Sequence, residues 1–142
     1  MFEILATLCA GTFFGAAVYI NLAQHPATLE TGGEFAGKFF PPMYSKASTL
    51  QIILALFGTA LGVVSWFLSG NMYWLIGAAF LVSVVPITLL FIKQINDKLL
   101  HPKHQLEPEE VLALLKQWNP RHWARSAVSF IAFVCYLLAI SG

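Results

Sequence analysis

Two histidine-bearing segments carry most of the residues able to do acid–base chemistry. Asn21 and His25 stand four residues apart, a spacing that sets both side chains on one face of a helix. His122 and Arg125 stand three apart. A helix starting near them adds a partial positive charge and free backbone amides, so this second pair suits an anionic group. An imidazole with an ordinary pKa of about 6.5 titrates near neutral pH. Interfacial anchoring is the alternative use of Arg121 and Arg125. Two amides belong with these groups. Asn21 lies in apolar sequence, where an unpaired amide costs roughly 2–7 kcal/mol and so demands a partner inside the protein; ordinary helix-to-helix hydrogen bonding is one such use. Asn96, three residues after Lys93, is too short to snorkel to an interface as Lys93 and Lys98 can.

Metal chemistry has weaker support. His101 and His104 have a spacing that a metal could use on a helix, but Pro102 separates them in a charged loop. With His25, His122 and Glu30 there are enough donors for an ion, yet no H-x-x-x-H or H-E-x-x-H pair occurs, so neither a metal centre nor another cofactor is expected. No nucleophile motif, phosphate loop or dinucleotide fingerprint is present. Tyr19, Tyr44, Trp118 and Trp123 can line an aromatic cavity, or can form the belt that such residues make at a membrane surface.

The elements that position these groups are apolar runs. Residues 4–23, 49–68, 72–92 and 124–141 each approach the roughly 20 residues that a hydrocarbon core of about 30 Å demands of a helix. Every Lys, Arg and His falls in two stretches, Gln24 to Lys46 and Lys93 to Arg125. An even number of crossings separates them, so both stretches share one membrane face. The expected fold is all-α: a four-transmembrane-helix bundle forming one integral membrane domain over residues 1–142, with a polar mouth and a nearly bare opposite end. At 58% hydrophobic and 11% charged residues the chain leaves no room for a second, soluble domain. A net charge of +1 without a basic run argues against a nucleic-acid partner. Cys9 and Cys135 both lie in predicted spans and are expected as small core residues rather than a disulfide. The first span lacks a basic leader, and Glu3 has the wrong sign for one, so it is read as a span and not a cleaved signal. The positive-inside rule puts loops 24–48 and 93–123 in the cytoplasm and both termini outside, with a bacterial inner membrane as the expected setting.

Gly11 and Gly15, and Gly58 and Gly62, form two G-x-x-x-G patterns, and Gly77 to Ala79 add a small patch; such residues let helices approach closely in lipid. Packing within the bundle is the first use of these faces, and homo-oligomerisation through one of them the second. Pro86 predicts a kink in the third span, freeing the carbonyl of Val82, with Ser83 and Thr88 placed to satisfy the freed groups. The kink favours a cavity towards the polar face. Residues 34–40 read as one or two helical turns before Pro41 and Pro42. Residues 108–118 read as an interfacial amphipathic helix between helices 3 and 4: Pro108, Glu109 and Glu110 open it, Val111, Leu114, Leu115 and Trp118 form its apolar face, and Asn119 and Pro120 end it.

Four motifs then resemble one family. VYINLAQHPATLE ends the first span, MYSKASTLQ leads into the second, PITLLFIKQINDKLL closes the third and WNPRHWARS enters the fourth. In that order they resemble the bacterial and fungal anthrone oxygenase-like membrane proteins, many of them known only as a domain of unknown function. The resemblance picks out Asn21, His25, Pro26, Tyr44, Asn96, Leu99, Trp118, His122 and Arg125. It departs at Gln24, where the family often has Glu, and at Phe39 or Phe40, where a Trp commonly precedes the tyrosine. What it implies is oxygenation of a polycyclic phenol at an activated methylene to give a quinone, without metal or flavin. His25 or His122 would be the base, Arg125 would stabilise the enolate, and Asn21, Tyr44, Asn96 and Trp118 would bind and orient the rings. Membrane lipid and a hydrophobic aromatic molecule are the implied partners. A non-enzymatic membrane protein that binds a lipid or hydrophobe, or stabilises a partner, is the competing class. A proton-coupled exporter is disfavoured because no span has a central Asp or Glu.

Overall fold

Four stretches of chain keep helical hydrogen bonding far beyond the apolar runs that start them. The computed structural model describes residues 1–101 and 105–142. Its long helices are α1 (Phe2–Glu30), α2 (Gly33–Ser69), α3 (Met72–Leu100) and α4 (Pro108–Ser141), each apolar and long enough to cross a membrane. The chain is therefore all-helical among the described residues, with the four spans that an integral membrane protein of this kind requires. At about 1.5 Å per residue the 37 residues of α2 reach well past a hydrocarbon core of about 30 Å. The polar mouth is thus built from helix ends rather than from loops.

Two prolines expected to break helices do not. Residues 34–40 are the first turns of α2, which continues through Pro41 and Pro42. The fixed φ of proline suits a helix, and the carbonyls left free lie near the helix end, beyond the apolar band, where water can satisfy them. Likewise the amphipathic stretch from Pro108 is helical as expected but does not turn at Asn119: α4 runs unbroken through Pro120. There the Asn119 carbonyl, with the side-chain oxygen beside it, accepts from Asn21 Nδ2. A capping box between Glu107 and Glu110 fixes the start of α4. The reversal between α1 and α2 needs its two glycines. Gly32 has φ of 87°, and Gly33 lies so close to the Pro108 backbone that any Cβ would collide with it.

The third helix does break where proline predicts. Ser83 leaves the α-helical pattern, and Thr88–Ile92 form a π-helical turn. Ser83 Oγ donates to Phe80 O at 2.6 Å and Thr88 Oγ1 to Val84 O at 2.7 Å. Neither reaches Val82, so the role expected of them at the freed carbonyl is not the one they take.

Helices α1 and α3 each pack on α2 and α4, and α2 meets α4 across the diagonal. Two apolar clusters fill the bundle. Towards the bare end, Ala6, Ala10, Phe13, Leu61, Trp74, Leu81 and Tyr136 pack together. Towards the mouth, Ile20, Phe40, Ile92, Leu99, Leu115 and Trp118 do the same. Between the clusters lies a buried polar layer: Asn21, Gln51, His122, Arg125, Ser126 and Ser129.

Candidate active site

Asn21 sits in a second π-helical turn, Ile20–Gln24, directly before His25 and Pro26. Such turns widen a helix locally and re-aim its side chains. Here both residues of the pair meet α4, one turn apart. Asn21 Oδ1 accepts from Ser126 Oγ at 2.6 Å and pairs with His122 Nδ1 at 3.0 Å, while its Nδ2 donates to Asn119 Oδ1 at 2.6 Å. The buried amide is fully used. Because an amide oxygen only accepts, His122 carries its proton on Nδ1 and keeps Nε2 as a free lone pair. His25 is the opposite tautomer, since its Nε2 pairs with the Leu115 carbonyl at 2.8 Å and must donate.

Trp118 links the two imidazoles and the mouth. Its ring stacks on His122 with centroids 4.4 Å apart and on His25 at 6.1 Å, and its Nε1 donates to Asn96 Oδ1 at 2.8 Å. Asn96 Nδ2 in turn donates to the Tyr44 hydroxyl at 3.0 Å. Phe40 packs edge-on against Trp118 and stacks on Tyr44, whereas Phe39 stacks on Phe35. Arg121 donates to the Phe91 carbonyl in the π-helical turn of α3 at 3.1 Å, tying that turn to α4.

Arg125 is the exceptional group. It is 6% exposed, its guanidinium lies 5.6 Å from the Phe13 ring, and its Nη2 donates to Gln51 Oε1 at 2.7 Å. Among the described residues it pairs with no carboxylate; the ion pairs Lys38–Glu34 and Lys93–Asp97 are both exposed. Arg125 Nε and Gln51 Nε2 are buried with no hydrogen-bond partner. A charge left in that state is costly inside a bilayer. Beside it lies a cleft of about 160 Å³ between α2 and α3, lined by Tyr44, Ser48, Gln51, Ile52, Val84, Val85, Thr88, Leu89 and Arg125. A smaller hollow reaches inward from the same Tyr44, Ser48, Gln51 and Arg125 to Trp118 and His122.

The structure thus brings Asn21, His25, Tyr44, Asn96, Trp118, His122 and Arg125 into one connected region, with Leu99 in the apolar cluster beside it. It does not line them all on one cavity. His25 faces a separate narrow hollow, with Gln24, Thr28 and Phe39, on the side of Trp118 away from Arg125. Glu30 and His101 are exposed, and His104 lies outside the described residues. Among the described residues no three His, Cys, Asp or Glu side chains are grouped to hold a metal. Gln51 is the participant that the motifs alone do not single out. The signal was present: Tyr44, Ser48 and Gln51 recur at helical spacing, a polar stripe running into an apolar span.

The family model for anthrone oxygenase matches residues 40–135, which is 96 of the 142 residues. The match includes Tyr44, Gln51, Asn96, Trp118, His122 and Arg125, and begins after the segment bearing Asn21 and His25. No curated protein and no solved structure matches the chain. With two thirds of its length under that one family model, the chain belongs to the anthrone oxygenase family.

Proposed function

We propose that this protein oxygenates a polycyclic phenol at an activated methylene, with His122 as base and Arg125 as the group that holds the resulting enolate. The observation that carries the proposal is the buried Arg125 that pairs with no carboxylate among the described residues, beside a cleft whose Tyr44, Ser48, Gln51 and Arg125 also line a small hollow with Trp118 and His122. A guanidinium in that state awaits an anion, and an enolate oxygen is the anion that a neighbouring base would create.

In the reaction, His122 Nε2 takes a proton from the methylene carbon, and the electron pair delocalises onto the carbonyl oxygen beside Arg125. The electron-rich enolate passes one electron to dioxygen; the carbon radical and superoxide combine to a peroxide, which is protonated. Loss of the second methylene proton then breaks the O–O bond, giving the new carbonyl and water. One dioxygen is consumed, one oxygen atom enters the quinone and the other leaves as water. Asn21 holds the His122 tautomer and Trp118 fixes its ring plane, with His25 supporting the stack from the other side as a positioning residue. Water is kept out by the apolar clusters above and below the layer.

Purified, metal-stripped protein given an anthrone should take up oxygen and form the anthraquinone faster than buffer. His122→Ala should lower that rate by ~10²–10⁴-fold, and His25→Ala by less. A rate that returned only with an added transition metal would move the chemistry to a histidine metal centre. Saturable binding without turnover across a panel of polycyclic phenols would leave a hydrophobe-binding membrane protein.

A further inference from the structure

The cleft beside Arg125 opens sideways. Its outer lining, Ile52 on α2 and Leu89 on α3, consists of exposed apolar side chains on membrane-spanning helices, so its mouth faces the acyl chains rather than water. The break at Ser83 and the π-helical turn at Thr88–Ile92 flank this mouth on α3. Two wider grooves, of about 350 and 450 Å³, are lined almost wholly by apolar groups and by none of the partnerless buried atoms among the described residues.

We infer that ligand enters from within the bilayer between Ile52 and Leu89, and that Gln51 is a specificity-determining residue. Its Nε2 joins Arg125 Nε in receiving one ionised oxygen of an otherwise apolar ring system. The inference rests on the proposed function and deepens it by naming the route and the second donor. Gln51 has spent its oxygen on Arg125 Nη2 and has no partner for its amide nitrogen. Both residues line the cleft although these two nitrogens lie just behind its surface, so a small side-chain shift would let one anion satisfy both N–H groups and neutralise the guanidinium at once. Size narrows the ligand further. A dry cavity of about 150 Å³ accommodates roughly one benzene ring, so a cleft of 160 Å³ encloses about one ring's worth of a larger ring system, and the remainder extends through the mouth, among lipid. Tyr44, Ser48 and Thr88 are the other polar groups lining the cleft, and none is a carboxylate. A glutamate at position 51 would supply the missing counter-charge and close the site to anions.

Pentachlorophenolate tests this without turnover, since it is ionised at neutral pH and has no methylene to oxygenate. Binding to the full protein in phosphatidylcholine nanodiscs should be saturable and at least ~10-fold tighter than for pentachloroanisole, its uncharged methyl ether. Gln51→Glu should abolish the preference for the phenolate, Gln51→Met should reduce it several-fold, and Val85→Trp should slow association of both compounds. Equal affinity for phenolate and ether, or an unaltered preference in both Gln51 variants, would overturn the subsite. Displacement of the phenolate by a short-chain phosphatidate, with pentachloroanisole binding unchanged, would assign the site to a lipid phosphate instead and overturn it equally. If Gln51→Glu fails to fold, the wild-type comparison and Gln51→Met decide. Phenolate selectivity without anthrone turnover would sink the oxygenase assignment alone, whereas turnover undisturbed in Gln51→Glu would sink the subsite alone.

Discussion

The bare-end half of the bundle and the polar layer beneath the mouth solve opposite problems with the same four helices. At the bare end Tyr136 is fully buried, its hydroxyl donates to the Gly58 carbonyl at 3.0 Å, and its ring stands against Trp74. Gly62 and Gly77 make room for it. Its one polar atom has a partner and its ring is in contact on several sides. Ser65 Oγ in the same half is buried without a partner, but it is a neutral hydroxyl; in the polar layer the unpaired groups include a cation. Asn21 is saturated, but Arg125 and Gln51 each keep an N–H with no partner. Packing of the first kind holds helices together in lipid, where water expulsion gives no help. An unfinished network of the second kind costs stability, and its persistence beside a cleft is what a site awaiting a ligand looks like.

The contrast predicts that substitutions at the two levels separate stability from activity. The largest loss of fold should come from Gly77→Leu, which forces a side chain into the Tyr136 ring; about 3 kcal/mol or more is expected, read as a lower thermal transition in detergent, with activity falling only as folded protein is lost. Tyr136→Phe keeps the ring and removes one buried hydrogen bond, so about 1 kcal/mol is expected. Gly15→Ala should be the mildest. A side chain there meets nothing within 4 Å, and replacing a mid-helix glycine gains roughly 0.5–1 kcal/mol. Gly15→Leu tests self-association at the same place: a loss of dimer by light scattering, with unchanged melting, would assign Gly15 to a contact between copies. Fusion reporters at Gly142 should behave as periplasmic, because all eight Lys and Arg fall within sequence stretches 24–46 and 93–125; a cytoplasmic signal would reverse the orientation.

Much of this contrast is legible in the chain itself. Span length and the clustering of charge give four helices and a polar mouth, since both follow from the thickness of a bilayer. Asn21, Asn96 and Arg125 are legible because short amides and charges in apolar sequence must have a reason to be there. Helix continuity through Pro41, Pro42 and Pro120 is not legible, because proline propensity is local whereas the deciding packing, such as Asn21 against Asn119, is between residues 98 positions apart. The division of labour between the histidines is equally hidden. Both belong to i, i+3 or i, i+4 pairs in the sequence, and only the partners Leu115 O and Asn21 Oδ1 distinguish their tautomers. Gln51 escaped for a further reason: an isolated glutamine in a span reads as helix glue until its acceptor proves to be a guanidinium without a carboxylate.

Arg125→Met tests the central claim most directly, because the side chain keeps similar length and apolar contact while the charge is removed. Oxygen uptake with an anthrone and thermal melting should be measured on the same preparation. A fall in turnover of ~10²–10³-fold is predicted, with the melting temperature unchanged or raised, since replacing an uncompensated buried charge by an apolar side chain relieves a cost. Turnover near that of the unsubstituted protein, or a loss of activity that tracks a collapse of the fold, would contradict the account.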